Sequence, residues 1–323
     1  MMRVLTVTLN PAIDETITVD RLVPGTVHRA RDLRRNAGGK GVNVASCLSD
    51  WGIRTTAFGL LGAQNAAPFE ALFAAGAIED RFGRLPGTTR VNLKIVDADD
   101  TTDINLGGLP VRAEDVATLA AQVEELAGPD TLAVLAGSLP PGCPPSIYAD
   151  LVTRLRARGA RVLLDSSGDP LSQALAAPVL PQCLKPNRHE LSEWSGDRLD
   201  DLADVLRVAT RLRDRGAELI VVSLGADGAL FVSDDGAVLA HLAAPSVVST
   251  VGAGDAMVAG LAAAMAEGAS LERTARLATA FAVAKLGLAG PHLPGRVEVE
   301  ALAHQVKIAA AETLGATVLG ETR

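Results

Sequence analysis

Residues 247–268 read VVSTVGAGDAMVAGLAAAMAEG, a β-branched run, a Gly-Ala-Gly-Asp turn and then small and apolar residues at helical spacing. Glycines let a backbone approach a ligand closely, and the first N–H groups of a helix lack intrahelical partners. With the helix dipole behind them, such N–H groups form an anion site. Asp255 beside that site would repel a plain anion, which leaves two readings. In one, Asp255 is a base that takes a proton from an attacking hydroxyl. Gly252, Ala253 and Gly254 then stabilise charge on a transferring phosphoryl group. In the other, Asp255 caps an ordinary helix.

Short β-rich runs alternate with helical patterns on the amino-terminal side of this stretch. Strands are expected at Val4–Leu9, Thr55–Leu60, Thr131–Ala136, Arg161–Leu164 and Leu219–Ser223. Helices are expected at Val42–Trp51, Ala113–Leu126, Ser146–Arg158 and Leu202–Arg215, then at Ala253–Glu267, Leu271–Leu286 and Val297–Ala311. This alternation predicts a mostly parallel sheet with helices on both faces, a three-layer α/β/α sandwich. Ile13–Val19, Arg90–Val96 and Thr101–Leu106 break the pattern, because turns and no helix separate them. They predict a small antiparallel sheet, a lid over about 13–30 and 88–106, inserted in one domain spanning 1–323.

Composition removes several function classes. The 323 residues carry 30 Lys+Arg against 38 Asp+Glu, a formal charge of −8, which gives no electrostatic footprint for nucleic acid. Cys47, Cys143 and Cys183 lie far apart, and no CxxC or HExxH spacing suggests zinc. The opening MMRVLTVTLN meets Asn10-Pro11 too early for a signal peptide, and no stretch approaches the ~20 apolar residues of a membrane span. A cytoplasmic protein with no membrane partner is expected. No GxxxxGK[ST] loop and no HRD or DFG set is present, so P-loop and protein-kinase chemistry are excluded.

VGAGDA resembles the carboxy-terminal signature of the ribokinase (PfkB) family of carbohydrate kinases, and AGGKGVNVA (37–45) its amino-terminal one. GSLPPG (137–142), KPNRHEL (185–191) and SLGADGAL (223–230) stand between them in family order, so the resemblance runs from TLNPAID (8–14) to about Lys285. It implies a ribokinase-like fold, ATP with Mg2+ as cofactors, a homodimer through the lid, and Asp255 as the catalytic base. Several members of the family also hold a monovalent cation, which admits K+ here. Within the family the motifs look closest to the enzymes that phosphorylate fructose 1-phosphate. Tagatose-6-phosphate kinases are near neighbours, and 6-phosphofructokinase is a further alternative.

Under the resemblance, Gly39, Lys40 and Asn43 contact the sugar, where the bare sequence also allows a glycine turn before a core helix. Asp14 holds sugar hydroxyls, where it would otherwise be ordinary loop chemistry, and Ser138 of GSLPPG joins the substrate side. Arg90, Asn92 and Lys94 alternate in TRVNLK and share one strand face. They suit a sugar phosphate, because Arg binds phosphate bidentately, or else protect an edge strand with charge. Asp103 and Asn105 share a face likewise. Lys185 sits after a strand, and Asn187 and Glu190, three apart, face a magnesium–phosphate site or form a capping box. Ser223, Gly225, Ala226 and Gly228 line the nucleotide or turn a hairpin, and the resemblance adds Val251 and Gly254 to the nucleotide's border. A non-catalytic sugar-phosphate sensor is the reading from another class; an intact Asp255 argues against it.

Overall fold

The computed structural model describes residues 2–310 except 246, 248, 249 and 289. Its elements run β1 (Arg3–Thr8), β2 (Ala12–Thr18), β3 (Asp32–Gly38), α1 (Lys40–Asp50), β4 (Thr55–Gly62), α2 (Ala67–Ala75), β5 (Glu79–Leu85), β6 (Arg90–Val96), β7 (Thr101–Asn105) and α3 (Ala113–Glu125). They continue as β8 (Thr131–Ala136), α4 (Ile147–Ala157), β9 (Arg161–Asp165), α5 (Gly168–Ala176), β10 (Cys183–Leu184), α6 (Arg188–Ser195), α7 (Leu202–Asp214) and β11 (Leu219–Ser223). The last are β12 (Ala229–Ser233), β13 (Gly236–His241), α8 (Ala253–Glu267), α9 (Leu271–Leu286), α10 (Arg296–Gln305) and β14 (Lys307–Ala310).

The large sheet has the order β14-β13-β12-β11-β10-β9-β8-β1-β4-β5. From β11 to β5 every pair is parallel, and β12 to β14 add an antiparallel edge. Central strands of this kind are covered on both faces, which explains apolar runs such as Leu132–Ala136 with no exposed position. Alternation sorts the side chains: Leu5, Val7, Ala133 and Leu135 pack under α3 to α7, whereas Val4, Leu132 and Val134 pack under α1, α8, α9 and α10. The three layers expected from the sequence are present.

α8 and α9 can approach closely because their contact is built from small residues. A Cβ on Gly260 would lie 2.7 Å from Ala278 Cα. Scarce aromatics are concentrated elsewhere: Phe69 and Phe73 of α2 meet Phe82 of β5 under the small sheet, with Ile13 and Ala37.

The small sheet has the order β3-β2-β6-β7. Two expectations change here. The sheet is mixed rather than antiparallel, because β2 pairs in parallel with β6, which returns after the β4–α2–β5 excursion. The stretch 13–30 contains one strand, and β3 begins only at Asp32. At the other end, the helix expected over Val297–Ala311 stops at Gln305 and gives way to β14 pairing with β13; Ala311 lies outside the described residues.

Candidate active site

The carboxyl ends of the parallel strands converge on one edge of the large sheet, where open α/β sheets place ligands. β1 leads to Asn10, β8 to Ser138, β9 ends at Asp165, β10 leads to Lys185 and β11 ends at Ser223. Two helix N-termini meet at this edge. α1 starts after Gly39, held at φ 112°, and α8 starts after Gly252, held at φ 80° with ψ 1°. That left-handed N-cap conformation suits glycine and aims the first turn of α8 into the cleft.

Asp255 lies in that first turn and is buried. Its Oδ2 accepts from Asn43 Nδ2 at 2.7 Å, a partner on the facing helix 212 residues away. The carboxylate thus binds across the two helices. Burial pushes the Asp255 carboxyl above the ordinary aspartate range, and the charge of Asp165 adds to this. Lys40, Asn43 and Lys185 pull the other way without cancelling it.

Asp165, fully buried, is the residue sequence reasoning missed. Its Oδ2 accepts from Lys40 Nζ at 3.1 Å, and its Oδ1 lies 3.1 Å from Lys185 Nζ. Burial raises its carboxyl, but the Lys185 and Lys40 ammonium groups outweigh burial and hold it below the usual range. Lys40 is correspondingly kept protonated: burial opposes the charge, while Asp165 and then Asp255 favour it by more. Two carboxylates and two ammonium groups therefore share the site, with Asp165 ionised and Asp255 the carboxylate disposed to accept a proton.

A cleft of about 560 Å³ opens between the small sheet, Asn43, the Gly252 turn, Lys285, Gly290 and Pro291. The strand alternation expected for TRVNLK holds. Lys94 pairs in register with Asp103 and Thr16, and all three line the cleft with Asp14. Asn92 reaches the same face and donates to Asp14 Oδ1 at 3.1 Å, with Asn105 opposite it in β7. Arg90 is not brought together with Lys94. Its guanidinium bonds the carbonyls of Asn10, Pro11 and Leu106 and borders a second cavity of about 450 Å³. Ser138 Oγ accepts from the Asn10 amide at 3.1 Å, tying the loops after β1 and β8.

On the far side, Asn187 and Glu190 form the capping box. Asn187 Oδ1 accepts from Glu190 N, and Glu190 Oε2 from Asn187 N, both at 2.8 Å. The box engages one side-chain oxygen of each residue. Glu190 nonetheless faces the Lys40 ammonium, and magnesium bound to nucleotide phosphates keeps waters that could bridge to it, so the residues fit a water-mediated contact. Among the described residues no group of three His, Cys, Asp or Glu side chains could hold a metal by itself. Ser223 N donates to Pro186 O, and Gly225–Asp227 form one tight turn that includes Ala226, closed by Leu224 N on Gly228 O.

A buried carboxylate in the first turn of a helix opened by glycine, lysines beside it and a cleft under a small sheet are the arrangement expected of a carbohydrate kinase. The profile described as "pfkB family carbohydrate kinase" matches residues 7–294. The chain belongs to this family. It is 51% identical over 290 residues to 1-phosphofructokinase of Xanthomonas campestris pv. campestris, covering 88% of this chain and 91% of the relative. It is 47% identical to 1-phosphofructokinase of Rhodobacter capsulatus over 95% of this chain and 98% of that one. Phosphofructokinase-2 from Escherichia coli, solved with substrates and products and also with potassium, superposes with a TM-score of 0.88 at 29% identity, covering 94% of this chain and 99% of that one. No helix among the described residues is long and apolar enough to cross a membrane.

Proposed function

We propose that the protein transfers the γ-phosphoryl group of ATP to the 6-hydroxyl of fructose 1-phosphate, giving fructose 1,6-bisphosphate and ADP. The observation that carries this reading is the buried Asp255 carboxylate, held by Asn43 at the Gly252 turn with its proton affinity raised. The names of the relatives supply the sugar.

Asp255 accepts the hydroxyl proton as the sugar oxygen forms its bond to the γ-phosphorus and the bond to the bridging oxygen of ADP breaks. The first amides of α8 lie where charge develops on the transferring group. Lys40, kept protonated by Asp165, adds positive charge on the same side. Magnesium supplies charge neutralisation on the β- and γ-phosphates when bound, and Asn187 and Glu190 would hold it through water. Asp14, Gly39, Asn92, Lys94 and Asn105 orient the sugar phosphate, with Arg90 and Ser138 fixing the loops behind. Lys185, Ser223, Gly225, Ala226, Gly228 and Val251 border the nucleotide. The small sheet closes as a lid and excludes water, which would otherwise compete as acceptor. Its other face exposes Leu33 and Ile104, which supports a homodimer through this sheet. On this reading the enzyme works in the cytoplasm with its phosphorylated substrates.

The test is kcat/KM, by ADP release, on fructose 1-phosphate, fructose 6-phosphate and tagatose 6-phosphate. Preference for fructose 1-phosphate is expected. Preference for either 6-phosphate would reassign the sugar, and no turnover with any of them would favour a sensor.

A further inference from the structure

Lys285 lies in the last turn of α9 with its side chain inside the protein, since the residue is 3% exposed, yet it lines the same cleft as Asn43, Lys94 and Gly252. Its ammonium donates to Leu288 O at 2.8 Å, and its Cε would lie 3.3 Å from a Cβ placed on Gly252. A lysine in a last helical turn is ordinarily explained by the carbonyls and the negative dipole end there. The bond to Leu288 O fits that explanation. The position beside Gly252 does not follow from it.

Gly252 opens α8, whose first amides carry the positive end of another helix dipole. Lys285 therefore sets an ammonium group beside a helix N-terminus, like sign beside like sign and withdrawn from water. Such an arrangement favours anionic charge beside the two. The charged and titratable groups facing Lys285 are the Asp255 carboxylate, the Lys94 ammonium, the buried Cys47 thiol and His292. Burial pushes the Lys285 ammonium below its ordinary range; Cys47 and then Asp255 work against that shift and Lys94 adds to it. The site thus invests a desolvated cation at the turn over which the phosphoryl group passes.

We propose that Lys285 is a tethered monovalent cation of this site: its ammonium supplies positive charge beneath the Gly252 turn for the phosphoryl group, and catalysis needs no diffusible monovalent cation there. This rests on the kinase reading and extends it to a residue and a salt requirement. The Escherichia coli relative was solved with potassium; this chain carries a univalent charge of its own on α9.

The experiment measures kcat and KM of the full-length protein in potassium, ammonium and tetramethylammonium chloride at constant ionic strength. Wild type and Lys285→Met are compared, with melting temperatures for both. Wild type should turn over equally in the three salts. Lys285→Met, folded and of similar side-chain length, should lose on the order of 100-fold in kcat. Ammonium or potassium should restore part of that loss, and tetramethylammonium none. Wild-type dependence on potassium would overturn the proposal. So would a folded Lys285→Met with wild-type kcat, or one whose loss no small cation relieves, which is the mark of a structural role. If Lys285→Met does not fold, the wild-type salt comparison decides alone. A wild type inert toward every sugar phosphate would overturn the kinase reading, and this inference with it; the other adverse outcomes leave that reading intact.

Discussion

Replacing Asp255 with asparagine separates what this side chain does for chemistry from what it does for folding. The amide keeps an oxygen for the Asn43 Nδ2 that now donates at 2.7 Å, so the link between α1 and α8 has a partner of nearly the same shape. It cannot accept the hydroxyl proton. Loss of a general base is worth roughly 100- to 10,000-fold in kcat, or about 3–5 kcal/mol of transition-state stabilisation at 1.36 kcal/mol per decade. Stability should move the other way. The folded-state pKa of Asp255 lies above its unfolded value, so its ionisation opposes folding at every pH above that folded value. A neutral side chain removes the burial penalty and the repulsion from Asp165. Melting temperature at pH 7 should therefore be unchanged or higher while kcat collapses. The assay is ADP release at saturating ATP and fructose 1-phosphate, paired with thermal melts. A kcat within about tenfold of wild type would refute the base assignment. A large loss of stability would refute the account of the carboxylate as a strained, desolvated group.

Three further outcomes follow from the same geometry. Asp165→Asn leaves Lys40 and Lys185 without their shared anion and should destabilise by about 3 kcal/mol in urea unfolding at pH 7, the low end for a broken buried pair because Lys40 reaches water. Because the folded pKa of Asp165 is depressed, its stabilisation is present above the unfolded value near ~3.9 and fades as the pH falls through the folded value. The variant and wild type should therefore converge in strong acid; a constant gap would contradict this. The acid limb of the kcat–pH profile should fall as Asp255 protonates, at a pH above that of an ordinary aspartate, and should be absent from whatever activity Asp255→Asn retains. Gly260→Ala puts a methyl 2.7 Å from Ala278 Cα and should cost about 1–3 kcal/mol in denaturation, by overpacking alone; a neutral result would mean that α8 and α9 can slide apart freely.

The core strands and the long helices were legible because their apolar runs carry the burial that forms them, as in Thr131–Ala136 and Leu271–Leu286. β3 was not, because Asp-Leu-Arg-Arg-Asn-Ala-Gly is polar along most of its length and becomes a strand only by pairing with β2. β14 read as helix because Lys-Ile-Ala-Ala continues an alanine-rich pattern, and only the waiting edge of β13 makes it a strand. The chemistry divided in the same way. Asp255 and Asn43 sit in local glycine-rich signatures, whereas Asp165 merely ends Arg-Val-Leu-Leu-Asp. Its role comes from Lys40, 125 residues distant, and Lys185, which nothing local announces. Arg90 was read for its charge, and the folded loops add what the sequence does not show, backbone carbonyls that accept three of its five N–H donors.

The parallel register of β2 with β6 also constrains the order in which this protein acquires its shape. Asp14 and Asn92 face each other across 78 residues of chain that include β4, α2 and β5. A hairpin could zip up from its turn, but this pair must close a long loop before any of its hydrogen bonds stabilise it. The β2–β6 pairing therefore follows the antiparallel pairs on either side of it, β2 with β3 and β6 with β7, and the exposed edge strand β7 should be among the first parts to exchange its amide protons. The Asn43–Asp255 link spans 212 residues and closes a longer loop still, so a newly made chain has the strands of its cover before it has the carboxylate beside the cleft.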